Sequence, residues 1–212
     1  MPEESTGGGQ AHYFSARPAG PAERSVVPVL LAGREVEVVT AAGVFSGDRL
    51  DLGTRVLLRE APAPPAAGHL LDLGCGWGPL ALTLGLLSPA ATVWAVDVNA
   101  RALELTAENG RRAGLRRLRP ATPDDVPADV AFDAIWSNPP IRIGKPALHA
   151  LLLQWLPRLR AGASAHLVVQ RNLGADSLHA WLAAALEGRA TVERAGSAKG
   201  YRVLRVTAAP AA

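Results

Sequence analysis

At 212 residues the chain is long enough for one α/β domain with some additional chain in front of it. Its 49% hydrophobic residues can build a real core, and its 19% charged residues argue against wholesale disorder. A formal net charge of +3 points only weakly to an anionic partner, and the single cysteine, Cys75, excludes an intramolecular disulfide or a thiolate metal cluster and suits a reducing compartment such as the cytoplasm.

Taken in chain order, residues 1–24 are rich in Gly, Pro and Ala and are expected to be loose, although His12-Tyr13-Phe14-Ser15 interrupts them. They lack the basic start and apolar segment of a secretory signal. Residues 25–61 form a small N-terminal cap with a strand at 34–40, a turn at Gly43-Val44-Phe45-Ser46 and a short helix at 50–60. A Pro/Ala linker at 62–68 opens the main domain, 62–212. There the pattern alternates: strand 69–73, helix 79–87, strand 92–97, helix 100–113, strand 131–137, helix 145–159, strand 163–170, helix 176–187, then strands 190–195 and 201–207. Alternating βα units predict a doubly wound, Rossmann-like α/β sheet, and two closing strands predict an antiparallel pair at one edge. The apolar stretch 80–96 is broken by Gly85, Ser88 and Pro89, so it is a helix, a turn and a strand and does not span a membrane.

The sharpest local signal is Leu71-Asp72-Leu73-Gly74-Cys75-Gly76-Trp77-Gly78-Pro79, a buried strand running into alternate glycines and then a helix. Glycine allows positive φ or the close approach of a ligand, and doubly wound sheets bind ligands at this end. The spacing is Gly-x-Gly-x-Gly, unlike the dinucleotide fingerprint, and no phosphate-loop Lys-Ser/Thr follows. Exposed N–H groups of the loop are expected to receive a ligand carboxylate. Asp72 is expected to hold an ammonium, and Asp97, with Val98 beside it at the end of the second strand, two ribose hydroxyls. An amino acid joined to a nucleoside is S-adenosylmethionine. The competing reading is a turn kept for tight strand–helix packing. Cys75 has no base near it in sequence and reads as a small space-filling residue.

The strand at 131–137 ends in Asn138-Pro139-Pro140-Ile141. Two prolines stiffen this turn and remove donors, leaving the Asn138 side-chain oxygen and the Pro139 carbonyl as acceptors. A planar amine is a poor nucleophile. Two acceptors on its hydrogens favour pyramidal nitrogen and stabilise the positive charge that grows there during attack on a methyl group. Neither a metal nor a cysteine nucleophile is needed for this.

With these residues in place, the chain resembles class I methyltransferases that act on planar amino groups. More narrowly it resembles the small-domain type of the 16S ribosomal RNA guanine-N2 methyltransferases and their single-domain relatives. The resemblance spans about residues 12–206 and is carried by His12-Tyr13-Phe14-Ser15, Gly43-Val44-Phe45-Ser46, Asp51-Leu52-Gly53-Thr54, Asn138-Pro139-Pro140-Ile141-Arg142, Gly144-Lys145 and Lys199-Gly200-Tyr201-Arg202-Val203-Leu204. It implies a seven-stranded sheet, S-adenosylmethionine as cofactor, and ribosomal RNA or the small ribosomal subunit as partner. It also implies that Phe45 and the 51–54 segment, Thr54 included, fold over the cofactor, and that an acid in 121–125, Asp124 by choice, contacts the adenine. The longer members carry a second domain for which this chain has no room. Amino-methyltransferases often carry Tyr or Phe where Ile141 stands, so aromatic stacking must come from elsewhere. Arg142, Lys145, Lys199 and Tyr201 are candidate RNA contacts. Arg111, Arg112, Arg116, Arg117 and Arg119 form a second basic cluster that fits phosphate contact or a solvated helix end. Methylation of a protein glutamine or of DNA adenine N6, and a non-catalytic binding module, are the alternatives.

Overall fold

The computed structural model describes residues 24–42, 44 and 50–211; the expectations for His12 to Ser15, for Gly43, for Phe45 and for Ser46 lie outside them. The described chain begins with a hairpin of β1 (Arg24–Leu31) and β2 (Arg34–Ala41), joined by a two-residue turn in which Ala32 and Gly33 both have positive φ. Sequence patterning finds only the second of these strands. Pro28 weakens the case for β1, and the structure tolerates it because, among the described residues, β1 pairs with β2 alone and its other edge is free. Helix α1 (Leu52–Glu60) follows, capped by Asp51, whose carboxylate accepts from Gly53 N at 2.9 Å and Thr54 N at 2.8 Å.

The main sheet contains β3 (His69–Leu73), β4 (Thr92–Val96), β5 (Leu118–Ala121), β6 (Phe132–Ser137), β7 (Leu159–Gln170), β8 (Ala190–Ala198) and β9 (Tyr201–Ala208). They lie in the order β5-β4-β3-β6-β7-β9-β8, the seven-stranded arrangement that the resemblance implies. The first five are parallel; β9 inserts antiparallel between β7 and β8. Strand β5 is a second element that patterning misses. It is four residues long and contains Arg119 and Pro120, which only an outermost strand accommodates. Helices α2 (Pro79–Leu87), α3 (Ala100–Arg112), α4 (Lys145–Trp155) and α5 (Ala175–Ala185) connect the strands. The predicted helix at 145–159 stops at Trp155 because Pro157 follows, and β7 therefore starts at Leu159.

Adjacent residues of the central strands face opposite layers. Leu70 packs with Trp77, Trp136 and Val168 beneath the hairpin and α1–α3. Leu71 packs with Phe132, Trp155 and Leu182 beneath α4 and α5. Burial on both sides explains why these strands read as continuous apolar runs.

The cap is tied to the main sheet through buried Asn109 on α3. Its Oδ1 accepts from Val39 N at 2.6 Å, and its Nδ2 donates to Val39 O and Trp77 O, both at 3.0 Å. This side chain meets β2 as a neighbouring strand would. Asn109→Ala takes a hydrogen-bond partner from three backbone groups in a dry place. It is expected to cost about 3 kcal/mol, read as a lower urea midpoint at unchanged slope.

Candidate active site

Strand order reverses between β3 and β6, with β4 on one side of β3 and β6 on the other. Loops leaving the carboxyl ends of two such strands diverge and open a crevice. Leu73 pairs with Ser137, whose hydroxyl donates to Leu73 O at 2.6 Å, so the glycine loop and the Asn-Pro-Pro turn emerge side by side. Between them lies a cleft of about 550 Å³ that Gly74, Gly76 and Asp97 line on one side and Asn138, Pro139 and Pro140 on the other. Its size is that of an ordinary small-molecule site.

The loop takes its shape from Gly74, Gly76 and Gly78, all with positive φ. Thr106 and Asn109, three residues apart on one face of α3, hold the carbonyls of Gly76 (2.9 Å) and Trp77. The expectation that the loop presents open N–H groups to a carboxylate is corrected here. Gly74 N and Cys75 N both donate to Val96 O (2.8 and 3.0 Å), Gly76 N to Asp97 Oδ2 (3.0 Å) and Gly78 N to Cys75 O (2.9 Å). Gly78 does not line the cleft; it caps α2, with Pro79 next. Cys75 is buried with its Sγ 3.6 Å from Thr106 Oγ1, and burial pushes its pKa far up, so it stays a neutral thiol and fills space.

Asp72 is buried. Its Oδ2 accepts from Ala81 N at 2.9 Å, and its Oδ1 has no partner among the described residues. Burial, with the Asp97 charge adding to it and the Ala81 N–H opposing it, pushes its pKa up to about 8. A hollow of about 30 Å³, room for one ammonium or water, is lined by Asp72, Asp51, Thr54 and Asn138. Asp97 accepts from Gly76 N on one oxygen and from Asn99 N (2.9 Å) on the other, with the Val98 N–H a further donor, and a carboxylate keeps capacity for more. Burial raises its pKa against these donors. Val98, half-exposed, lines the cleft. Asp124 does not: it is exposed on a 3₁₀ turn, while Pro123 faces the cleft and Asp125 is held by the Thr122 hydroxyl at 2.6 Å. A proline-led turn that spends one acid on its own capping box leaves the cleft wall apolar there.

On the other side, Pro140 has φ −74 and ψ 74, an inverse γ-turn in which Ile141 N donates to Pro139 O at 2.8 Å. The Pro139 carbonyl keeps its second lone pair. The Asn138 amide nitrogen donates to Asp51 Oδ2 at 2.7 Å and to Thr54 Oγ1 at 3.2 Å. Ile141, Arg142 and Tyr201 line the cleft; Lys145 and Lys199 stand exposed at the start of α4 and at the tip of the β8–β9 hairpin. Burial, then the Asp51 charge, raises the Tyr201 pKa. Among the lining residues that escape sequence reasoning are Asn99, Ala102, Leu151, Gln170 and Leu173. A polar residue ending the apolar run Leu167-Val168-Val169 was the available signal for Gln170. The 111–119 arginines are far from this mouth. Helix α3 runs back to the amino ends of the strands, where Arg117 donates to Ala90 O at 3.1 Å, so at that end the solvated reading of the cluster fits. No group of three His, Cys, Asp or Glu among the described residues is placed to hold a metal ion, and no described helix is long and apolar enough to cross a membrane.

A doubly wound sheet with this strand order and a cleft at its switch point defines a class I methyltransferase fold. The family described as Methyltransferase small domain matches residues 35–205, and the chain belongs to it, among methyltransferases that depend on S-adenosylmethionine. The chain is 30% identical over 197 residues, 92% of its length and 96% of the relative's, to the uncharacterized protein YbxB of Bacillus subtilis. It is 38% identical over 141 residues to the ribosomal RNA small subunit methyltransferase C of Aeromonas hydrophila, spanning 66% of this chain and 39% of that relative. Among solved structures, the 16S rRNA N2 G1207 methyltransferase RsmC of T. thermophilus, in complex with AdoMet and guanosine, superposes with a TM-score of 0.76 at 22% identity, covering 90% of this chain and 52% of that one.

Proposed function

We propose that the protein is a cytoplasmic enzyme that methylates N2 of a guanine in 16S ribosomal RNA, with S-adenosylmethionine as donor. The observation that carries this reading is the pairing of the two sides of the cleft. One side offers Asp97 in the cleft and, in the small hollow adjoining it, the orphan buried carboxylate oxygen of Asp72, as an aminoacyl nucleoside requires. The other offers stiff carbonyl acceptors beside it. The residues fit the cofactor: Asp72 would take its ammonium, Asp97 its ribose and the Gly74–Gly76 wall its body, with Val98 and Pro123 flanking the base. Bound there, it supplies a methyl group made electrophilic by the sulfonium, which leaves as a neutral thioether.

The chain itself orients and polarises. Asn138 Oδ1 and Pro139 O would accept the two hydrogens of the amine, directing the nitrogen lone pair across the cleft and stabilising the charge that forms on nitrogen. The new C–N bond replaces the sulfonium's C–S bond, and the surplus proton leaves to solvent. No histidine lines the cleft among the described residues. Tyr201 and Ile141 would form walls for the base, with Arg142, Lys145 and Lys199 near enough to the mouth for phosphates.

The chain is also 34% identical over 146 residues to the ribosomal RNA large subunit methyltransferase G of Pseudomonas syringae, so the large subunit is the second reading. Labelled methyl transfer to purified small subunits, large subunits and protein-free ribosomal RNA, all from cells lacking the gene, tests both. The expected product is nuclease-sensitive, protease-resistant label recovered as N2-methylguanosine from 16S RNA. Label in 23S RNA moves the target, and protease-sensitive label sinks the RNA reading.

A further inference from the structure

We infer that Asp51 is a positioning residue for the substrate amine. With Thr54 it holds the Asn138 amide so that its carbonyl oxygen, and never its nitrogen, meets the substrate. The inference rests on the proposed chemistry of the Asn138 turn and gives the 51–54 segment a task beyond the covering of cofactor that the resemblance implies.

The geometry leaves the amide one orientation. Asp51 Oδ1 accepts from Gly53 N, and Oδ2 accepts from Thr54 N and from Asn138 Nδ2. An ionised carboxylate only accepts, so the group Asn138 turns toward it must be the donor. Thr54 Oγ1 takes the second amide hydrogen at 3.2 Å. Both N–H bonds of Asn138 are thereby spent on α1, and its Oδ1, without a partner among the described residues, is left for the cleft that Asn138 lines. Rotating the amide by half a turn would set its oxygen against the Asp51 carboxylate and aim two donors at an amine, which has no use for them.

Gly53 gives independent support. A Cβ there would lie 2.9 Å from Tyr201 Cε1 and 3.4 Å from Asn138 Nδ2, so the first turn of α1, the Tyr201 ring and the Asn138 amide meet at a point that only glycine allows. Donation to an anion also polarises the amide and makes Oδ1 a stronger acceptor. A helix cap that precedes the glycine loop in sequence therefore acts on the reacting nitrogen from 87 residues away.

Asp51→Asn is the test, because Asn caps helices as well as Asp does, and its own NH₂ can now face Asn138 and let that amide turn. We expect kcat to fall about 10- to 100-fold on 16S RNA, with the melting temperature and the KM for RNA nearly unchanged and with any weakening of S-adenosylmethionine binding, from the charge lost beside the hollow, smaller than the fall in kcat. Thr54→Val, a near-isosteric second variant, should give a smaller fall of the same kind. In ¹⁵N-labelled protein the Asn138 side-chain NH₂ pair, assigned by its loss in Asn138→Ala, should exchange slowly in the wild type and quickly in Asp51→Asn. Adding Asp51→Asn to Asn138→Ala should cause no further loss. Wild-type kcat or wild-type NH₂ protection in Asp51→Asn, with Asn138→Ala inactive, overturns the inference alone. A loss of cofactor affinity that matches the loss of kcat overturns it in favour of a cofactor ligand. An active Asn138→Ala removes the underlying reading and this inference with it.

Discussion

Asn138→Ala is expected to reduce single-turnover methyl transfer about 10²- to 10³-fold while leaving cofactor binding nearly intact. The magnitude is that of removing one preorganised polar group aimed at a developing charge. The Asn138 amide is held on one edge by two hydrogen bonds to α1, so its acceptor is oriented before substrate arrives and costs nothing to align. The remaining acceptor, Pro139 O, is shared with Ile141 N and cannot replace it. Truncation also frees Asp51 Oδ2 and Thr54 Oγ1 from a donor, but both adjoin a hollow that water can enter, so stability should change little. Rapid-quench turnover with labelled cofactor, alongside calorimetry, checks both halves. Activity within a few-fold of wild type would remove the Asn138 turn from the chemistry.

Much of this site can be read along the chain because its parts are local. Strand β3 is an uninterrupted apolar run, the glycines after it need positive φ, and the Asn138-Pro139-Pro140 turn carries its stiffness in its own residues. What escapes is set by partners distant in sequence. Strands β1 and β5 contain Pro28 and Pro120, which argue against a strand until the sheet shows them to be edges. The loop N–H groups look available in sequence, and Val96 O and Asp97 take them only once β4 lies beside β3. Asp51 falls inside the helix expected at 50–60; the structure makes it the N-cap of a helix that starts at Leu52, and nothing near it in sequence announces Asn138. The arginines at 111–119 have the same composition as a phosphate site. The direction of α3 alone, away from the carboxyl ends of the strands, removes them from the mouth.

The affinity for S-adenosylmethionine is expected to depend steeply on pH, with its acid limb set by Asp72. In the folded protein without ligand, burial pushes this carboxyl up to about 8, so near neutrality it is largely protonated. A ligand ammonium in the hollow beside its orphan Oδ1 favours the ionised form, so binding must expel a proton below that value. By linkage the dissociation constant then rises about tenfold for each pH unit below 8 and levels off above it. The ligand's own amine loses its proton on the alkaline side, where α-amino groups titrate at about 8, so the affinity should peak close to pH 8. The same sign governs folding. A carboxyl raised above its unfolded value makes the unliganded protein less stable as pH climbs from about 4 toward 8, and bound cofactor should offset that loss. Asp72→Asn keeps an acceptor for Ala81 N and cannot ionise. It should abolish the acid limb, remove the loss of stability toward pH 8, and bind the cofactor more weakly there than the wild type does. Asp97 and Asp51 face the same region and remain in the variant, which isolates Asp72 from their charge. Calorimetry from pH 6 to 9 in buffers of different ionisation enthalpy reads the proton release directly. A wild-type dissociation constant that is flat between pH 6 and 8 would place the ammonium elsewhere.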